Sequence, residues 1–459
     1  MNALEAIRGV VGDAGLVTGD DVRARPGDWA GRTRCGAKAV VRPRSAVELA
    51  EVMKLCSAAR QPVVPAGGLT GLVHGADASG NELQISFERM RAIEAVDPVA
   101  MTMTVEAGVP LQAVHEAAAA HGLIYAVDLG ARGSCTIGGN ISTNAGGNSV
   151  IRYGMTRDNV LGLEAVLADG TILSSMNTLL KNNAAFDLKH MFIGSEGTLG
   201  LVTRAVLRLR PMPTSEATAI LAIRGFDNLK RVFGLAGKRL GALLSSFEVM
   251  WRDFYELVAI ESGRHQPPLP GGHDFYVIIE ATGTNGESDA ALVEAMLAEC
   301  LEQGLVQDAI IAGSKAQRNA IWAIREEFEA LVKALVPGSI FDVSLPLPKM
   351  EGFVDGMKAA LRAEWGDQVR SVVYGHIGDG NLHVIVSPRP WSDAAQRRAE
   401  EIVYRPLKDI GGSMSAEHGV GLEKRDWLQI SRSAEEIALM KQLKAMLDPH
   451  GLLNPGKVL

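Results

Sequence analysis

The chain has 459 residues, 47% of them hydrophobic, with 46 basic and 53 acidic side chains and a formal charge of −7. That length is too great for one hydrophobic core and implies two or three domains, while the hydrophobic content excludes a disordered chain. A mildly acidic sequence without a block of like charge argues against nucleic acid or a polybasic membrane role. Taken in chain order, Ala39 to Arg42 reads as a short strand stopped by Pro43. Ser45 and Glu48 follow as a capping box for a helix whose apolar stripe is Leu49, Val52, Met53 and Cys56. Pro62 to Val64 is the next strand, running into a glycine cluster. Met101 to Glu106 alternates at period two, Leu111 to His121 is an alanine-rich helix, and strands recur around Leu161 to Leu167 and Gly200 to Leu209.

Composition shifts at Arg210-Pro-Met-Pro-Thr214, where two prolines beside a strand end mark a domain boundary. Beyond it Ala217 to Ile223, Ser246 to Met250 and Phe275 to Glu280 read as strands. A helix from Ser288 to Leu301 is expected to bury Leu292, Leu297 and Cys300 or Leu301. Val372 to His376 and Leu382 to Val386 flank a Gly-Asp-Gly loop, a hairpin signal. The last predicted helix runs from Ala434 to Leu447. The four cysteines, Cys35, Cys56, Cys135 and Cys300, are far apart and form no CxxC, which argues against a disulfide framework and a cysteine-held zinc or iron–sulfur site. The N-terminus carries two acids in its first half and is a poor signal peptide, and no uncharged apolar run approaches the ~18 residues of a membrane span. A reduced, cytoplasmic protein is expected.

Glycine accounts for 50 residues, and the glycines cluster. Pro65-Ala-Gly-Gly-Leu-Thr-Gly-Leu72 follows a strand directly, and glycines there let backbone N–H groups converge on an anion. This is neither GxGxxG nor a P-loop, and a plain tight turn is the alternative. Gly133-Ser-Cys-Thr-Ile-Gly-Gly-Asn-Ile-Ser-Thr-Asn-Ala-Gly-Gly147 interleaves glycine pairs with small polar side chains, as suits an extended polar ligand. The third cluster is Gly194-Ser-Glu-Gly-Thr-Leu-Gly200. In the second half, Gly375-His-Ile-Gly-Asp-Gly-Asn-Leu-His383 puts two histidines at facing ends of one hairpin, where they form either a ligand pair or a hydrogen-bonded core pair. Ser415-Ala-Glu-His-Gly-Val-Gly421 adds an acid beside a histidine. His376, His383 and Glu417 make a His₂Glu set with a vacant position, the pattern of a catalytic divalent site, for which zinc fits best and manganese or iron also serve. Asp379 is read as turning the hairpin loop.

The three glycine segments, in this order and separation, closely resemble the vanillyl-alcohol-oxidase-type (PCMH-type) FAD-binding family, in its D-2-hydroxyacid dehydrogenase branch. The fold class implied is α+β: a two-subdomain FAD-binding domain at residues 1–213, a ferredoxin-like substrate or cap domain at 214–414, and a segment 415–459 returning to the FAD domain. The implied FAD-binding residues are Pro65, Ala66, Gly67, Gly68, Leu69, Thr70, Gly71 and Leu72; Gly133, Ser134, Thr136, Gly138, Gly139, Asn140, Thr143, Asn144, Ala145, Gly146 and Gly147; and Glu196, Gly197, Val202 and Asn454. The first loop, Gly67-Gly-Leu-Thr70, has no histidine or cysteine, so FAD is expected to be non-covalent, with His74 a structural or lid residue.

The resemblance also implies that His376, His383 and Glu417 hold the divalent ion beside the flavin and that Arg325 clamps the substrate carboxylate. A helix-surface ion pair is the alternative for Arg325. His418 is either the base that takes the hydroxyl proton or a group that orients Glu417. The expected reaction is oxidation of a D-2-hydroxyacid to the 2-oxoacid by hydride transfer to flavin, with electrons leaving to a separate acceptor: an electron-transfer flavoprotein, a quinone or a cytochrome. A homodimer is one expected arrangement. Where D-2-hydroxyglutarate enzymes carry a lysine and an asparagine, this chain has Ile340 and Ile385, and Glu329 stands four residues after Arg325. An apolar or aromatic tail, as in D-lactate or D-mandelate-like acids, is therefore expected. D-2-hydroxyglutarate itself, an oxygen-using oxidase and a non-redox flavin transferase are the alternatives.

Overall fold

In the computed structural model, which describes residues 3–29 and 31–459, the chain divides into two units. The first comprises Met1–Gly147, Tyr153–Met212 and Glu417–Leu459; the second comprises Asn148–Arg152 and Pro213–Ala416. No helix among the described residues is long and apolar enough to cross a membrane. All four cysteines are buried thiols.

The first unit holds two sheets. A four-stranded sheet runs in the order Leu16–Val17, Ala39–Val41, Leu83–Ser86, Val63–Ala66, with its last three strands parallel. Parallel strands need a covering crossover, and helix Ala46–Ala59 supplies one: Leu49, Val52, Met53 and Cys56 are all buried beneath it. Ser45 Oγ accepts the Glu48 N–H at 3.2 Å, as a capping residue should. The return bond differs from the expected capping box, because Glu48 Oε2 accepts the N–H of Arg44 rather than that of Ser45. The second, antiparallel sheet is built around the long strand Leu201–Pro211, flanked by Thr102–Glu106 and Val160–Val166. The C-terminal segment joins the first sheet: Leu453 bridges Val63, and Asp448 Oδ1 and Oδ2 cap the N–H groups of Leu452 and Leu453 at 2.9 and 2.7 Å.

The second unit is one seven-stranded antiparallel sheet. Its first four strands in the chain are Ser215–Ile223, Leu244–Trp251, Phe275–Gly283 and Asp308–Ile311, which lie side by side in the order fourth, first, third, second. With helices Phe226–Leu240 and Gly286–Glu302 this is the ferredoxin-like arrangement. Strands Val369–His376, Asn381–Pro388 and Ser339–Ser344 extend the sheet beyond Leu244–Trp251. The buried stripe of helix Gly286–Glu302 is Val293, Met296, Leu297 and Cys300, a regular three-and-four spacing. Leu292 and Leu301, expected in that stripe, flank it instead and are 42% and 47% exposed.

Candidate functional site

In the first unit the three glycine segments meet around a cavity of about 360 Å³. Of the expected FAD residues, Pro65, Gly67, Gly68, Leu69, Thr70, Gly71, Leu72, Thr136, Gly138, Gly139, Asn140, Thr143, Ala145, Gly146, Glu196, Gly197 and Val202 line it, and so do Glu417 and His418. Ala66, Gly133, Ser134, Asn144, Gly147 and Asn454 are not in the lining. Three of them hold neighbouring structure. Gly147 N–H donates to Glu417 Oε1 at 2.9 Å, Asn144 closes a helix in the left-handed region with its Oδ1 on the Arg157 N–H, and Asn454 Nδ2 ties the carbonyls of Gly75 and Glu196. Gly68 is required by the protein itself: a Cβ there would lie 1.9 Å from the Ser134 carbonyl oxygen.

The cavity suits an extended anionic cofactor. The N–H groups of Gly68, Leu69, Thr70, Gly71 and Leu72 have no hydrogen-bond partner among the described residues. Five successive backbone donors in that state are available to an external acceptor such as a phosphate group. Gly71 and Gly130 also line the space, and a Cβ on either would meet nothing within 4 Å, so their bareness leaves room for a ligand. The segment Leu129–Ala131 and Asp28 belong to the lining too but were not anticipated, because Leu129–Ala131 reads as an ordinary loop and Asp28 lies far upstream. His74, Nδ1 2.9 Å from Asp77 Oδ2, lines the cavity's rim; the hydrogen bond to Asp77 raises its pKa.

Glu196, which lines the cavity, also holds a neighbouring turn. Its carboxylate accepts the N–H groups of Val420 and Gly421 at 2.6 and 2.9 Å, pinning the turn just after Glu417 and His418. Burial pushes this carboxyl above its ordinary range, against those two hydrogen bonds and the charge of Lys424. Gly419 and Gly421 have φ of +87° and +51°, backbone that favours glycine; a Cβ on Gly421 would sit 2.0 Å from the Val73 carbonyl oxygen.

In the second unit, register places the candidate side chains on one sheet face. Directly opposed residues on neighbouring strands point the same way, giving a row of Glu248, His376, Asn381 and Ser344. The next row is Met250, Tyr374, His383 and Asp342, and the one after is Val372, Ile385 and Ile340. His376 and His383 are both buried, with Nε2 atoms 3.4 Å apart. A carboxylate oxygen of Asp342 is within 4.8 Å of a His383 ring nitrogen. Asp379 Oδ1 accepts the Asn381 N–H at 3.1 Å and so turns the loop. Both side-chain polar atoms of Asn381 are buried with no partner among the described residues.

Arg325 ends helix Lys315–Arg325 and is buried rather than on a helix surface. Its Nε and Nη2 lie 2.9 Å from Glu248 Oε2, and its guanidinium stacks over Tyr374 at 4.6 Å. Glu248 is 1% exposed and also accepts from His376 Nδ1 at 2.7 Å. Burial pushes its carboxyl upward, but His376 and Arg325 outweigh this and hold it below its ordinary value. Glu248 escaped the sequence reading, although a lone acid inside the strand-like run Ser246 to Met250 is a signal, since a fully buried carboxylate must be paired.

Two family models match, an FAD binding domain over residues 37–175 and the C-terminal domain of FAD linked oxidases over residues 212–458. A Xanthomonas citri pv. viticola protein named D-2-hydroxyglutarate dehydrogenase is 42% identical over 437 residues, covering 94% of this chain and 91% of its own. A Bos taurus protein named D-2-hydroxyglutarate dehydrogenase, mitochondrial, is 39% identical over 94% of this chain and 78% of its own. Among solved structures, p-cresol methylhydroxylase superposes with a TM-score of 0.78 at 15% identity, covering 99% of this chain and 96% of that one. An alkyldihydroxyacetonephosphate synthase gives 0.75 at 17% identity, over 99% and 85%. At such identities the solved structures speak to fold alone. The two family models span both halves of the chain, and the curated relatives align along nearly all of it, so the chain belongs to the FAD-linked oxidase family, in its D-2-hydroxyacid dehydrogenase branch.

Proposed function

We propose that this oxidoreductase is an FAD- and divalent-metal-dependent dehydrogenase that converts a D-2-hydroxyacid with an apolar or aromatic tail to the 2-oxoacid. When bound, the flavin supplies a hydride acceptor and the ion a Lewis acid that eases loss of the hydroxyl proton. The histidine pair carries the metal reading: two buried Nε2 atoms at 3.4 Å are the start of a ligand set, with Glu417 as the third ligand. Zinc suits these donors; manganese and iron are the other candidates. FAD is held without a covalent bond, by the backbone donors of the first loop.

Arg325 retains Nη1 for the carboxylate beside the substrate's hydroxyl, its other nitrogens being committed to Glu248. His418 takes the hydroxyl proton or orients Glu417. The tail preference rests on the third row of the sheet face. Val372, Ile385 and Ile340 follow the row of His383 and pack in the same apolar cluster as Ile324 and Leu331. A distal carboxylate buried there would lack a partner, at a cost of several kcal/mol. Glu329 is engaged by Arg264 and adds no positive charge. Electrons then pass to a separate acceptor, and the buried thiols fit a reducing compartment such as the cytoplasm.

The names of the relatives favour D-2-hydroxyglutarate as a second reading. Anaerobic flavin reduction by D-2-hydroxybutyrate, D-mandelate and D-2-hydroxyglutarate separates the two. The first two should reduce the flavin with the higher catalytic efficiency. A clear preference for hydroxyglutarate reverses the proposal, and hydrogen peroxide formed in step with turnover would identify an oxidase.

A further inference from the structure

We propose that Glu248 is the shared partner of the metal-binding histidine, whose ring N–H it accepts, and of the substrate-binding arginine, whose charge it balances: a positioning residue without which neither is correctly presented. This rests on the reading of His376 as a metal ligand and Arg325 as the carboxylate clamp. Glu248 stands directly across from His376 on the neighbouring strand. Its Oε1 lies 2.7 Å from His376 Nδ1 and its Oε2 2.9 Å from Arg325 Nε. An ionised carboxylate only accepts hydrogen bonds, so Nδ1 must carry a proton and the lone pair of the neutral ring falls on Nε2. That is the nitrogen 3.4 Å from His383 Nε2.

The same carboxylate places a cation where it would otherwise do harm. Arg325 Nη2 is 3.4 Å from His376 Nε2, the atom assigned to the metal. A guanidinium so close to a dication in a buried site opposes metal binding by direct repulsion. Glu248, 1% exposed and therefore unscreened by solvent, offsets that repulsion while holding the guanidinium against Tyr374. Charge and geometry are thus supplied by one residue.

The two roles make opposite predictions for two substitutions, read on the full-length FAD-loaded protein. Affinity for Zn²⁺ and Mn²⁺ is measured by equilibrium dialysis with elemental analysis, and kcat and KM with D-2-hydroxybutyrate. Glu248→Gln keeps the shape and an acceptor for Nδ1–H but removes the charge. Metal affinity should fall ~10- to 100-fold, as for other groups that support a ligand, and KM should rise, with FAD content unchanged. Arg325→Gln removes the cation and leaves Glu248 on His376, so metal affinity should equal or exceed that of the unsubstituted protein while KM rises. Wild-type metal affinity in Glu248→Gln overturns the proposal, whether or not thermal stability falls. So does a ~10-fold or greater loss of metal affinity in Arg325→Gln, a criterion that stands even if the first variant does not fold. Metal affinity that survives His376→Ala overturns the underlying metal reading instead, and is distinguished because that variant leaves Glu248 intact.

Discussion

The glycine cavity of the first unit and the histidine face of the second approach ligands by opposite means. The cavity offers main-chain donors from Gly68 to Leu72 and is shaped by the absence of side chains. The sheet face offers side chains alone, Glu248, His376, His383 and Arg325, each fixed by register or by a buried ion pair. A site made of backbone tolerates changes in its polar side chains but no added Cβ. A site made of side chains fails when any one of them is removed. The two should therefore be separable by mutation, one losing cofactor and the other losing chemistry.

His376→Ala should show the largest effect: flavin reduction by substrate slower by at least ~10³-fold, since Lewis-acid assistance is worth several kcal/mol, with flavin content and spectrum retained. Loss of FAD from this variant would break the comparison. Gly68→Val tests the other side. Its Cβ would fall 1.9 Å from the Ser134 carbonyl, so the loop must shift, at a cost of about 1–3 kcal/mol or more. The purified protein should be colourless yet still bind a divalent ion through its histidines; full flavin content would refute the cradle.

Glu196→Gln sharpens the comparison, because Glu196 is a side chain working within the backbone-built region. Gln offers one acceptor to two N–H groups, Val420 and Gly421, so one buried donor goes unmet at about 1–3 kcal/mol. Denaturant unfolding should register that loss, and activity should fall more than FAD content because the turn follows Glu417 and His418. The smallest effect belongs to His74, whose pKa is raised, first by its hydrogen bond to Asp77 and then by charge. Its pairing stabilises in full below the ordinary value of 6.5 and is lost as pH rises through the raised one. The pair is half exposed, so only about 0.5 kcal/mol is at stake. The melting temperature of His74→Asn should lie below that of the parent at pH 6 and match it at pH 8.5.

Both regions left marks in the sequence, of unequal depth. The glycine segments were legible because a backbone site needs bare residues in an unbroken run, and a run is local: Gly67, Gly68 and Gly71 announce a loop without reference to anything distant. His376 and His383 were legible for a related reason, since one hairpin places both on the same face. The C-terminal helix Ala434–Leu447 was equally plain, with Ser433 and Glu436 closing a complete capping box at its start. The box expected at Ser45 shows the limit, because the Glu48 carboxylate accepts the Arg44 N–H instead of that of Ser45, one residue away from the position the local pattern assigns.

Residues far apart in the chain escaped that reading. Glu248 lies 77 positions from Arg325 and 128 from His376, and only strand pairing puts its carboxylate between them. Glu196 reaches Val420 over 224 positions, a partnership with no trace in either segment. The sequence by itself determined the bare loops, the hairpin, the caps and the family, because each rests on spacing along the chain. The tertiary structure alone decided which charges are paired in the interior, because a buried carboxylate is held by whichever donors the sheet order and loop crossings bring to it.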